Sequence, residues 1–241
     1  MIIISNFSPN FSKKTRSKKD IKYVIIHYTG MQSEIESIKR LKNSKSKVSC
    51  HYLINRKGII IQMVNEKFSA WHAGKSKWSK FTNLNINSIG IELVNKGHQF
   101  GYERFTKNQI KSLITLCIRL KKKYKINKIN FLGHSDIAPL RKIDPGEYFP
   151  WEKLSKHGIG RWHKNGKLNK ISTNSNKIKK EFFQNLRRLG YRYFKINKRS
   201  LKDKKIIKSF QQHYLPKNVT GKIDQKTFEI SHFLTKKTVL D

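Results

Sequence analysis

An α/β fold is predicted for most of this chain, because apolar runs that read as strands alternate with stretches whose apolar residues recur at helical spacing. The runs are KYVIIHYTG around His27, NSIGIELVN around Glu92 and INFLGHSD around His134. Length bounds the answer: 241 residues suffice for one sizeable core, or for a domain of about 150 residues with a small companion. The last third changes character, reading as short helices after a Gly-containing polar stretch, which predicts that companion.

The elements follow in order. Residues 1–20, MIIISNFSPNFSKKTRSKKD, form an N-terminal extension whose four-residue apolar run has no basic flank before it and no signal-peptide core after it. Residues 21–29 read as a strand, and 34–42 (EIESIKRLK) as a helix with Ile35, Ile38 and Leu41 on one face. HYLINRKGIIIQMV is a hairpin turning at Arg56-Lys57-Gly58. Around residue 90, Ile89, Ile91 and Leu93 alternate with Gly90 and Glu92 in the manner of a half-buried strand. Thr106 caps a helix to Tyr124, with Gln109 completing a capping box and Ile110, Leu113, Ile114, Leu116, Cys117 and Leu120 at helical spacing. INFLGH is the next strand. Periodicity fails over 153–176, where Gly158, Gly160 and Gly166 indicate a linker or long loop. Residues 177–241 then give three helices: EFFQNLRRLGY with Gly190 as its stop, KDKKIIKSFQQHYL and QKTFEISHFL.

Lys and Arg number 53 against 15 Asp and Glu, a net charge of +38. Such a balance suits nucleic acid or another anionic surface. The lysines are spread along the whole chain, however, and no basic stretch with interleaved aromatics, finger spacing or recognition helix accompanies them. A nucleic-acid-binding protein is therefore the less favoured alternative. No stretch approaches the roughly 18 apolar residues of a membrane span. Cys50 and Cys117 sit in apolar settings and read as two small buried residues, with no disulfide framework.

His27, His134 and Asp144 each end an apolar run, where a side chain can leave the core for a cleft. Two imidazoles and a carboxylate make a three-ligand zinc set of the catalytic type, with the fourth position left for water. Spacing alone carries little weight, since no HExxH helix pairs two ligands and a lone His after a strand is more often structural. Glu92 on a half-buried strand needs a partner or a task, a salt bridge to one of the many lysines being the plain alternative. Lys142 lies two residues before Asp144, which on extended chain places both on one face. Arg141 beside it suits bidentate pairing with a peptide carboxylate. His51, in an alternating strand, reads as structural rather than as a fourth ligand.

In order, VIIHYTG, CHYLINRKG, AWHAG, IGIELVN, FLGHSDIAP and KIDPGEYFPW resemble the zinc N-acetylmuramoyl-L-alanine amidases of the amidase-2 family, over roughly residues 20 to 152. The resemblance implies a catalytic domain over 21–152 with a mixed central sheet flanked by helices, as in peptidoglycan recognition proteins. It implies zinc at His27, His134 and Asp144, Glu92 as catalytic base and Lys142 beside the zinc stabilising the oxyanion. His72 and Trp71, in AWHAG, would border the substrate groove. The implied reaction cleaves the amide between N-acetylmuramic acid and L-alanine, in bacterial peptidoglycan or in anhydro-muropeptides, for wall degradation, remodelling or recycling. The three-helix tail, with LGY, SFQQ and TGKIDQKT, resembles the small peptidoglycan-binding domain of wall hydrolases, although Val219-Thr220-Gly221 stands where an Asp-Gly turn is usual. A packing or dimerisation appendage is the alternative for the tail. A weakly catalytic binding module is the alternative for the whole. The expected partner is peptidoglycan or muropeptide, with no obligate protein partner, and the envelope or periplasm is favoured over the cytoplasm.

Overall fold

A six-stranded mixed sheet occupies the centre, in the order β1 (Ile3–Ser5), β5 (Ile60–Gln62), β4 (Tyr52–Ile54), β9 (Ser88–Leu93), β3 (Tyr23–Tyr28) and β10 (Phe131–Gly133). The computed structural model describes residues 2–163, 169 and 175–236. Parts of the expected linker (164–168 and 170–174) and the end of the tail (237–241) lie outside them. Strands β4, β9, β3 and β10 run parallel, while β5 returns antiparallel to β4 as the predicted hairpin. The N-terminal extension enters the sheet as β1, parallel to β5. Two short ribbons pair β2 (Phe11–Ser12) with β6 (Ser69–Ala70), and β7 (Lys77–Trp78) with β8 (Phe81–Thr82).

Helices α1 (Glu34–Lys42), α2 (Lys107–Tyr124), α3 (His134–Ile137) and α4 (Trp151–Ser155) belong to this part, and α5 (Asn176–Leu189), α6 (Asp203–Tyr214) and α7 (Gln225–Lys236) form the tail. Among the described residues, no helix is long and apolar enough to cross a membrane. The capping box of α2 is present: Thr106 Oγ1 accepts from Gln109 N–H and Gln109 Oε1 accepts from Thr106 N–H, both at 3.1 Å. Helix α1 starts at a Ser33 cap, but its buried face differs from the expected one. Ile35 is 66% exposed, and Ser37, Ile38 and Leu41 turn inward instead. A nine-residue helix at the rim of the sheet has its first turn beyond the edge of the core, so an apolar residue there finds nothing to pack on.

The register decides which side chains share a face. In β3 and β9, Tyr23, Ile25 and His27 lie beside Ser88, Gly90 and Glu92, while Val24 and Ile26 with Ile89, Ile91 and Leu93 join the cluster under α2. That second face is one continuous apolar layer closed by α2, α4 and Ile159. The first face carries two separate clusters. Leu41, Cys50, Leu53, Ile61, Met63 and Val94 pack under α1, and Tyr23, Ile25, Leu132 and Ile137 pack against Phe182, Phe183, Leu186, Tyr191 and Phe210 of the tail.

The tail is thus part of the core. Trp151 stacks on His213 with ring centres 4.0 Å apart and planes 11° from parallel. Gly190, at the end of α5, has φ +122°, and a Cβ there would lie 2.4 Å from Trp78, so glycine both stops the helix and lets the indole in. Residues 153–163 of the region expected as linker begin within α4 and stay packed: Gly160 N–H donates to Lys128 O at 2.8 Å, and Arg161 Nη1 to Leu234 O at 2.9 Å. Both cysteines are buried and unpaired.

Candidate metal centre and active site

Three neighbouring parallel strands deliver the site at their carboxyl ends, the usual place for a ligand in an α/β sheet. Glu92 comes from β9, His27 from β3, directly opposite in register, and His134 opens α3 immediately after β10. Residues 107 positions apart in sequence are therefore brought to the ends of adjacent strands, which lie about 4.8 Å apart. Asp144 arrives on the loop after α3, where Ser135 N–H holds its carbonyl at 2.8 Å.

His27 Nδ1, His134 Nδ1 and Asp144 Oδ2 form a triangle with sides of 2.9, 3.0 and 3.1 Å. All three side chains are buried, and among the described residues they are the one group with metal-ligand geometry. Protonation at Nε2 suits the outward acceptors of both imidazoles. His27 Nε2–H donates to His72 Nδ1 at 3.0 Å, His72 Nε2–H to Ser88 Oγ at 3.2 Å, and Ser88 Oγ–H to Leu84 O at 2.6 Å. His134 Nε2–H donates to Ala73 O at 3.2 Å. Both Nδ1 atoms then turn lone pairs inward, beside a carboxylate oxygen. Three electron-rich atoms so close repel one another unless a cation lies between them, and tetrahedral zinc with bonds of about 2.0–2.1 Å requires much the same spacing. The donor set fits zinc.

The electrostatics agree. Burial lowers His27 to about 4, with His134 adding to the shift and Asp144 opposing it, so the imidazole is neutral and able to ligate at pH 7. Burial pushes His72 well below the ordinary value, reinforced by His27. For Asp144 burial acts upward, but the two imidazoles outweigh it and hold the carboxyl well below the usual carboxylate range. Glu92 moves the other way, raised to about 8 by burial and then by Asp144, with Lys142 opposing. Its Oε2 is buried and has no hydrogen-bond partner among the described residues.

A cleft of about 600 Å³ opens over these groups, lined also by Tyr28, Trp71, His98, Phe100 and Lys142. Lys142 is half-buried and close enough for its charge to act on both Glu92 and His27. Trp71 is half-buried at the rim, with Nε1 donating to Ser12 Oγ at 3.1 Å. Arg141 lines the cleft while Nε donates to Lys75 O at 3.0 Å and Nη2 to Ala73 O, bracing the loop that carries His72. His51 stands away from the triangle, its Nδ1 accepting from Gly90 N–H at 3.0 Å.

Sequence reasoning placed His72 at the groove and missed its bond to His27. Gly90 was the available signal, since glycine inside a strand marks close approach by another group. A Cβ at position 90 would lie 2.3 Å from the His72 ring.

The family model described as N-acetylmuramoyl-L-alanine amidase matches residues 17–147. The chain is 35% identical over 239 residues to the N-acetylmuramoyl-L-alanine amidase AmiD of Escherichia coli (strain K12), covering 90% of this chain and 83% of that protein. It is 37% identical over 164 residues to the 1,6-anhydro-N-acetylmuramyl-L-alanine amidase AmpD of Haemophilus influenzae, covering 61% of this chain and 86% of that one. A structure of the Escherichia coli AmiD, in complex with the substrate anhydro-N-acetylmuramic acid-L-Ala-D-γ-Glu-L-Lys, superimposes with a TM-score of 0.79 at 32% identity, covering 95% of this chain and 93% of that chain. The structure of AmpDh3 from Pseudomonas aeruginosa with an anhydromuramic pentapeptide gives a TM-score of 0.79 at 28% identity, covering 95% and 97%.

Proposed function

The chain belongs to the amidase-2 family and is an N-acetylmuramoyl-L-alanine amidase acting on peptidoglycan and muropeptides, and from that premise we propose that its cleft holds zinc on His27, His134 and Asp144, with Glu92 and Lys142 as the groups that act on the amide. The convergence of three lone pairs on one point, beside a carboxyl with an unpartnered oxygen, carries this reading. When bound, zinc supplies Lewis acidity and a water acidified to about neutrality.

Glu92 takes the proton of the attacking water and returns it to the leaving alanine nitrogen, since an amide expels an unprotonated amine poorly. A carboxyl raised towards neutrality suits both steps, and a cation at the three donors draws it down from the alkaline side. The Lys142 ammonium stabilises the negative charge that develops on the amide oxygen. Trp71 and His72 border the groove that receives the muropeptide, and Arg141 offers its guanidinium to a stem-peptide carboxylate. Residues 21–152 supply all of these groups. Residues 177–241, which resemble a wall-binding unit, keep the enzyme near insoluble peptidoglycan, and the envelope or periplasm is the compartment this substrate favours.

Mass spectrometry of anhydro-N-acetylmuramic acid-L-Ala-D-γ-Glu-L-Lys treated with the protein tests the reading. The expected products are the free anhydro sugar acid and a tripeptide with a new alanine amine, lost on stripping with a strong chelator and regained with zinc. Cleavage at another bond, or full cleavage after stripping, would overturn it.

A further inference from the structure

Asp136 lies two residues beyond His134, is 1% exposed, and has both carboxylate oxygens engaged. Oδ2 accepts from Gly133 N–H at 2.7 Å, closing the first turn of α3, and from His213 Nδ1–H at 2.7 Å. Oδ1 accepts from Tyr191 Oη–H at 2.5 Å. Two of these three donors come from the tail. A third tail group, Ser209 Oγ, donates to Ser135 O at 2.8 Å, and Ser135 N–H is the donor that holds the Asp144 carbonyl. Ser135 therefore joins both ligand-bearing segments to α6.

These donors have little room to drift. His213 is clamped between Trp151 and Tyr214, whose ring centres lie 4.0 and 4.1 Å from its own. Tyr191 meets Trp78 edge-on at 4.8 Å. Helix α3, by contrast, is a single turn of four residues, and a turn that short has no stability of its own. Where His134 Nδ1 points is decided by whatever holds α3. A buried carboxylate also needs its full set of donors, so Asp136 stays in place only while the tail is docked.

We propose that Tyr191, Ser209 and His213 are positioning residues of the metal centre, and that the helical tail is a built-in support for α3 in addition to any wall-binding role. The inference rests on reading His27, His134 and Asp144 as metal ligands. Metal–donor distances are tolerant to only about 0.2 Å, so a small relaxation of α3 reaches the metal before it reaches the fold.

The test uses the full-length chain loaded with zinc and titrated with a graded chelator, alongside thermal unfolding of the metal-free proteins. His213→Leu removes a donor to Asp136 and should release metal about 10-fold more readily, the low end of the range for a residue bonded directly to a ligand, since Asp136 stands between. His213→Asn restores an N–H at the Nδ1 position and should return retention to within a few fold of the unaltered chain. Tyr191→Phe and Ser209→Ala should weaken retention by smaller factors with little change in metal-free melting. Unchanged retention in Tyr191→Phe and Ser209→Ala overturns the proposal even where His213→Leu does not fold, and so does His213→Asn behaving like His213→Leu. If the unaltered chain bound no zinc, the metal reading itself would fall, and this inference with it.

Discussion

The two faces of the central sheet are built from the same strands and end in opposite conditions. Towards α2 the buried residues of β3 and β9, Val24, Ile26, Ile89, Ile91 and Leu93, are all aliphatic and belong to a single apolar cluster. On the other face the apolar cover is split, α1 lying over one cluster and the tail over another, and His27, Glu92 and His72 emerge near the gap between them. The site is therefore a controlled interruption of packing. A sheet face that is not closed leaves its strand ends free to present charged and metal-binding groups, and the closed face supplies the rigidity that holds them.

The largest contrast between the two faces is expected of His134→Ala. Zinc content and turnover should both vanish while the fold stands, because the α2 face is untouched; full zinc in the variant would dissolve the distinction. Glu92→Gln comes next, with a loss of about 10² to 10⁴ in kcat and zinc retained. In the metal-free protein it has a second readout. Burial and Asp144 raise Glu92 to about 8, so the folded state favours its protonated form. That contribution to stability is complete below the unfolded value of about 4.3 and is lost as pH climbs through about 8. Glu92→Gln should flatten this part of the melting profile, and an unchanged slope would assign it elsewhere.

On the closed face, Leu116→Ala should destabilise by about 2–5 kcal/mol in chemical denaturation, with kcat preserved under conditions where the protein stays folded. A matching fall in kcat would mean the α2 face is not merely support. The smallest effect is expected of Ile35→Glu, within about 0.5 kcal/mol, since that side chain points into solvent; a large loss would restore the face first expected of α1.

Local signals were the legible ones. The α2 cap needs only Thr106 and Gln109, three residues apart. The α/β class, the hairpin, the strand-end positions of His27 and His134 and the place of Glu92 on a strand were likewise readable, because each depends on a short apolar run. The triangle itself was not, since it depends on strand order: only the sequence β9-β3-β10 in the sheet makes residues 92, 27 and 134 neighbours. The buried face of α1 failed for a related reason, as periodicity says which residues align and not how far the core extends beneath them. The docking of the tail was hidden by its own regularity. Three amphipathic helices look self-sufficient in sequence, and the pairing of Asp136 with His213, 77 residues on, leaves no local trace.

Three of the four tryptophans, Trp78, Trp151 and Trp162, lie at the seam with the tail, the first edge-on to Tyr191, the second flat on His213 and the third with its ring centre 6.3 Å from that of Tyr214. Buried indoles emit at shorter wavelength than hydrated ones, and an imidazole in face contact quenches. The protein therefore carries its own dye where the helices meet the sheet. A parting of the two would appear as a red shift and a change in brightness well before any secondary structure was lost, while Trp71 at the rim of the cleft would answer separately to an arriving muropeptide.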